Sequence, residues 1–206
     1  MPKPLIWSRI TAMETNLKQD YQKLIAAIKK GGIGVLPTDT LYGLVGSAFS
    51  ASALERIYAI RERSGKKPFI ILISTLSDLK KFEIKINKKT EVLLRGVWPG
   101  KVSVVFPVRS KKFGYIHRGT KSLAFRLPNK DSLTTLLKKT GPLVAPSANR
   151  EGAKPATTIK KAKQYFGERI DFYVDGGTLC GKPSTLVAWE KGKFVTLREG
   201  AVKLKK

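Results

Sequence analysis

One cysteine, Cys180, and one histidine, His117, stand among 206 residues. That scarcity excludes an internal disulfide and leaves no set of Cys and His side chains from which to build a zinc cluster. A metal, if the chain uses one, must be held by oxygen. Long apolar runs are missing as well. Ile33 to Leu36, Phe69 to Ile73, Val102 to Phe106 and Leu123 to Leu127 fall far short of the roughly 20 residues that cross a bilayer. Met1 to Ile10 carries two prolines among mixed polar residues instead of an apolar signal core, so a cytoplasmic chain with no membrane partner is expected. Acidic residues are few: 15 Asp plus Glu stand against 40 Lys plus Arg, a net charge of +25. Such a surface attracts polyanions. Charge alone does not separate an RNA binder from an enzyme that handles ATP, or either from plain solvated lysine faces.

What is present suffices for one core. Hydrophobic residues make up 42% of the chain, and a single domain over 1–206 is expected, with its core at about 15–200 and a short basic tail at Lys203 to Lys206. Leu17, Tyr21, Leu24, Ile25 and Ile28 recur at helical spacing, and Gly31-Gly32 supplies the stop. A strand follows at Ile33 to Leu36. Ser52 with Glu55 has the spacing of a capping box and opens a helix to about Arg63. Further helices are read at Thr90 to Val97, Asp131 to Gly141 (with Asp131 as cap) and Thr158 to Phe166. Further strands are read at Phe69 to Ile73, Val102 to Phe106, Leu123 to Leu127, Leu143 to Ala145, Phe172 to Val174, Ser184 to Trp189 and Phe194 to Leu197. Arg109 to Lys121 reads as a basic loop. Helices and strands alternate without a repeat, which predicts an α/β fold with a twisted, mixed sheet.

Four strand-end loops concentrate polar chemistry. Pro37 to Leu44 reads PTDTLYGL; Arg61 to Pro68 gathers four cations at a helix end; Pro146-Ser147-Ala148-Asn149 is followed by Gly152 and Pro155; Asp175-Gly176-Gly177 precedes Ser184-Thr185. Loops at strand ends are where α/β folds bind ligands, yet each taken singly also reads as turn or cap chemistry. Gly176 to Lys182 has the spacing of a Walker A loop, but Pro183 replaces the hydroxyl residue and the run that follows is strand-like rather than helical. It is no P-loop.

Taken in order, PTDTLYGL, IYAIRER with KP, WPGKVSVVF, LAFRLP, APSAN with its Gly and Pro, DGG, and ST with LREG resemble the YrdC/TsaC family of threonylcarbamoyl-AMP synthases from about Gln22 to Gly200. The resemblance implies an α/β domain with a concave basic pocket. It also implies a reaction: L-threonine, bicarbonate and ATP give threonylcarbamoyl-adenylate and pyrophosphate, for the threonylcarbamoyladenosine modification of tRNA. Position by position it assigns Arg61, Arg63, Ser147 and Asn149 to catalysis and Arg63, Lys67, Ser122, Ser147 and Arg198 to ATP. Thr38, Arg126, Ala145 and Ser184 go to threonine, with Arg126 on its carboxylate. Asn149 and the Ala145 backbone are also expected to line the site, with Ser147 and Asn149 pointing the same way if the loop is extended. Magnesium is expected to bridge phosphates, the partners to be downstream threonylcarbamoyl-transfer proteins and tRNA, and the chain to act as a monomer. Three positions depart from the family pattern: Arg61 replaces a lysine, Lys67 an asparagine and Leu72 a histidine that contacts threonine. The further C-terminal domain of longer relatives is not expected. Two alternatives stay open, an RNA-binding or ribosome-maturation protein of the same fold and a paralogue with a different acceptor.

Overall fold

The computed structural model describes residues 5–6, 15–62, 68–190 and 192–204. Ten strands form one sheet: β1 (Leu5–Ile6), β2 (Gly34–Pro37), β3 (Tyr42–Ser47), β4 (Ile70–Leu72), β5 (Val102–Pro107), β6 (Ser122–Arg126), β7 (Leu143–Val144), β8 (Phe172–Asp175), β9 (Thr185–Glu190) and β10 (Lys193–Arg198). They lie in the order β1-β8-β2-β3-β7-β4-β6-β5-β9-β10. Parallel pairs (β8 with β1 and β2, β4 with β6, β5 with β9) mix with antiparallel ones. The expected mixed α/β class is therefore the observed one.

Among the described residues six α-helices flank the sheet: α1 (Thr15–Lys29), α2 (Ala51–Ile60), α3 (Lys88–Arg95), α4 (Gly114–His117), α5 (Asp131–Thr140) and α6 (Ile159–Phe166). The basic loop read at Arg109 to Lys121 contains α4 and a short 3-10 turn, Lys111–Phe113. The cap of α2 is Ser50, whose backbone is extended and whose hydroxyl accepts from the Ala53 N–H, in place of the expected Ser52. The helix also stops at Ile60, because Glu62 turns to a positive φ of 53°. On α5 the cap position is Lys130, with Asp131 the first helical residue, where its charge still suits the helix N-terminus. On α6, Thr158 caps by accepting from Lys161 N–H.

Strand alternation sorts side chains onto two cores. The larger takes Val35, Leu44, Ile71, Val104, Phe125 and Val187 from the sheet and packs them under α2, α4, α6 and the 3-10 helix Leu76–Phe82. The smaller packs Leu24, Ile25 and Ile28 of α1 and Leu133, Leu136 and Leu137 of α5 on Leu36, Val45, Leu72 and Leu143. It contains residues of β2, β3, β4, β7 and β8 but none of β5, β6 or β9. On that second face Ser122, Ala124, Val105 and Leu186 are only half buried. The floor of a cavity is thus left where the small core stops.

Asp78 shows how the 3-10 helix Leu76–Phe82 is held. Its carboxylate accepts from Ser74 N–H and Oγ (2.9 and 2.8 Å) and Thr75 N–H (3.1 Å) and pairs with Lys81 at 2.8 Å. Burial alone would raise this carboxyl; the bonds from Lys81, Ser74 and Thr75 outweigh it and hold it below the ordinary carboxylate value. A depressed folded-state value contributes stability above the unfolded value of about 4 and loses it as pH falls through the folded one. Asp78→Asn is expected to lower stability at pH 7 by about 1–3 kcal/mol. In thermal unfolding between pH 7 and 2, the gap from the wild type should close below pH ~4; a constant gap would show that the charge is immaterial.

Candidate active site

The β2–β3 hairpin brings the first polar loop to the edge of the uncovered sheet face. Pro37 pairs with Tyr42, so Thr38 to Leu41 form the turn. Thr38 folds it: its Oγ1 donates to Leu41 O (2.7 Å) and accepts from the N–H groups of Thr40 and Leu41 (3.1 and 3.2 Å). Tyr42 points the other way, donating its phenol proton to Gly177 O (2.7 Å) and accepting from Gly176 N–H (2.8 Å). Burial first, then the nearby Asp175 carboxylate, push this phenol up to about 12 against the opposing Gly176 bond, so it stays a neutral clamp. The clamp fixes the start of the segment 176–184, which runs on from β8 to β9. Farther along, a Cβ at Gly181 would collide with the Thr40 carbonyl, which is why this close crossing has glycine.

The third loop is stitched to the first. Leu44 N–H donates to Pro146 O and Ala148 N–H to Tyr42 O, at 2.9 and 2.8 Å. Ser147 thus faces the cavity, its Oγ 2.6 Å from Asn149 Oδ1. Asn149 turns inward. Its Nδ2 donates to Arg150 O (2.7 Å) and Ala153 O (2.9 Å), and the side chain is buried. Arg61, 3% exposed, donates from Nε to Asn149 O (2.9 Å), while its own carbonyl accepts from Glu151 N–H (2.8 Å).

These segments enclose a cavity of about 340 Å³. Thr38, Arg126, Ala145, Ser147, Ser184 and Arg198 all line it, together with Leu41, Ile70, Ala124 and Leu186. Ser184 is buried, its Oγ 2.8 Å from Ser103 Oγ, and its carbonyl accepts from Arg198 Nη2 at 2.9 Å. Arg126 pairs with Asp39 at 3.1 Å, and Lys130 Nζ lies 3.5 Å from Thr38 O. Burial pushes Arg126 down, opposed by Asp39 and reinforced by Arg198; burial likewise pushes down Lys130, opposed by Asp39, and Arg198. A buried Arg126 with the half-buried Lys130 and the exposed Arg198 close by favours an entering anion.

Other expected site residues lie elsewhere. Arg61 and Asn149 do not line the cavity; they brace the Ser147 loop from behind, because the early end of α2 turns Arg61 back into the protein. The Ser147 and Asn149 side chains meet at 2.6 Å, but of the two only Ser147 lines the cavity, the Asn149 amide being engaged by the carbonyls of Arg150 and Ala153. Ser122 shares the Ala124 face of β6 but sits in a shallower recess with Arg109, Lys121 and Glu190. Leu72 is fully buried in the smaller core. Arg63 and Lys67 lie outside the described residues. Sequence reasoning gave no role to Asp39, Tyr42, Lys130 or Ser103. Of these Asp39 carried a signal, as a carboxylate inside a loop assigned to bind an anionic substrate.

The chain is similar to the threonylcarbamoyl-AMP synthase of Pyrococcus abyssi, with 30% identity over 190 residues that cover 90% of this chain and 56% of that protein. It superposes on P. abyssi Sua5 complexed with L-threonine with a TM-score of 0.81 at 28% identity, covering 89% of this chain and 54% of that one. On E. coli YciO the TM-score is 0.80 at 23% identity over 91% of this chain and 92% of that one, a likeness of fold. The chain spans about half the length of the P. abyssi proteins it matches. A family model named for Sua5, YciO and YrdC and described as "Telomere recombination" matches residues 26–200, from α1 to the end of β10, and the chain belongs to that family.

Proposed function

We propose that this chain is a threonylcarbamoyl-AMP synthase, acting as one domain and as a monomer in the cytoplasm. The observation that carries the reading is one cavity in which the buried cation Arg126 and the more exposed Arg198 meet the hydroxyls of Ser147 and Ser184. The P. abyssi relative bearing that activity name and the threonine complex of Sua5 support it.

In this reading threonine places its carboxylate on Arg126, a guanidinium suited to two parallel hydrogen bonds, and its amine combines with bicarbonate to give a carbamate and water. A carbamate oxygen attacks the α-phosphorus of ATP as the bond to the β-phosphate oxygen breaks, releasing pyrophosphate. The chemistry needs no protein nucleophile. It needs in-line positioning and compensation of charge, to which Arg198, Ser147 and, as the family resemblance implies, Arg63 and Lys67 would contribute. Among the described residues no three His, Cys, Asp or Glu side chains converge as a metal site. Magnesium is read as bridging the phosphates of the nucleotide substrate. The product, a mixed anhydride, would be consumed by a threonylcarbamoyl-transfer protein acting on tRNA.

A second reading, a paralogue with another acceptor, is favoured by one observation: Leu72, where the resemblance implies a histidine on threonine, is sealed in the smaller core and presents no polar group to the cavity. Both are tested by incubating the protein with ATP, bicarbonate and a panel of amino acids and measuring pyrophosphate and adenylate. Threonine-dependent release is expected. Equal rates with valine, which is threonine with its hydroxyl replaced by methyl, would favour the paralogue, and no amino-acid-dependent release would defeat both readings.

A further inference from the structure

Arg126 lines the cavity, whereas Asp39, its ion-pair partner, lies behind it with a side chain only 2% exposed. Nη2 of Arg126 lies 3.1 Å from Asp39 Oδ1 and 3.5 Å from Thr38 Oγ1. Neither Asp39 oxygen has a well-aligned hydrogen bond, and Arg126 Nε has none either. A buried pair left this unsatisfied is a poor stabilising device, because desolvation of two charges is only offset when the remaining donors and acceptors are filled. It is, however, an effective orienting one. The carboxylate pins one corner of the planar guanidinium, and Lys130 and Arg198 press on the same region with charge of the opposite sign to Asp39.

We propose that Asp39 is a positioning residue for amino-acid recognition: it holds the Arg126 guanidinium in the one plane that receives the substrate carboxylate and offsets part of the surrounding positive charge. Asp39 acts through Arg126 and does not touch the substrate. The inference rests on the synthase reading of the cavity and goes beyond it in assigning a determinant of threonine binding outside the cavity wall.

The experiment is steady-state pyrophosphate release at saturating ATP with L-threonine varied, on the wild type, Asp39→Asn, Arg126→Gln and the double variant, each checked for folding by circular dichroism. Asp39→Asn is expected to raise KM for threonine about tenfold, while KM for ATP stays within about twofold. In the Arg126→Gln background the same change should alter kcat/KM for threonine by less than about twofold, since the group it acts through is gone. An equal effect in both backgrounds would overturn the inference, as would equal losses for ATP and threonine or an unchanged threonine KM. If Asp39→Asn alone fails to fold, the double variant, which removes both charges, decides against Arg126→Gln: a silent second change supports the inference and an additive one overturns it. A wild type without threonine-dependent release defeats the synthase reading and this inference together; a threonine-dependent wild type with a silent Asp39→Asn defeats the inference alone.

Discussion

Arg126→Gln is expected to lower kcat/KM for threonine by about 100-fold, or about 2.7 kcal/mol of transition-state stabilisation. The argument is local. Arg126 is the cavity-lining cation whose own partner, Asp39, is sealed behind it, so an incoming carboxylate meets a guanidinium already stripped of water. A charge-assisted contact made there is worth more than one made in solvent. Glutamine keeps much of the volume and one donor but neither the charge nor the fork. Because the change leaves Asp39 without its counter-charge, the melting temperature should fall too, and the kinetics must be read at a temperature where the variant is folded. Pyrophosphate release as a function of threonine concentration is the measurement. A loss that fell on ATP instead of threonine would move Arg126 to the nucleotide side of the cavity.

The second large effect is expected at Arg61, and on stability before chemistry. Removal of this side chain strips the Asn149 carbonyl of its 2.9 Å bond from Nε and opens a void behind the Ser147 loop. Arg61→Ala should cost about 2–4 kcal/mol, a fall in melting temperature on the order of 5–12 °C for a chain of this size. Activity should drop with it, since Ser147 loses its brace. Arg61→Lys restores a positive charge but supplies one donor group on a different stem, and should recover only part of either loss. Were Arg61 acting simply as a charge beside phosphate, lysine would restore full activity and alanine would leave the melting temperature alone. Thermal unfolding and turnover on the same three proteins separate these cases.

The difference between Arg61 as read and as found shows where sequence stops being informative. Helix stripes and strand runs in α1, β4, β5 and β6 were legible because burial repeats at fixed periods. β3 was not: Tyr42 to Ser47 contains two glycines that interrupt any apolar alternation, and it read as part of a polar loop. Its Gly46 is there for packing, since a Cβ would press within 3.1 Å of both Ile33 and Ile57. The α2 cap slipped by two residues because Ser50 and Ser52 carry the same hydroxyl, and their oxygens lie 3.1 Å apart. In the candidate site the types of residue were legible and their directions were not. A strand-end Asn looks the same whether it reaches for a ligand or folds back on its own loop, and only the Nδ2 bonds to Arg150 O and Ala153 O distinguish the two. Asp39 could not be placed at all without its pairing to β6, a contact that no local pattern encodes.

The unequal cover of the sheet leads further. Helices α1 and α5 roof β2, β3, β4, β7 and β8, while β5, β6 and β9 present Ala124, Val105 and Leu186 half bare on the same face. In the proposed synthase reading the substrates would occupy the place that a further helix would fill in a fully layered α/β protein, and their burial would complete the architecture. Binding would in this sense be the last step of folding. The half of the sheet carrying β9 and β10, whose outer residues are largely exposed, should be the loosest part of the empty molecule and the part most tightened when the cavity is filled.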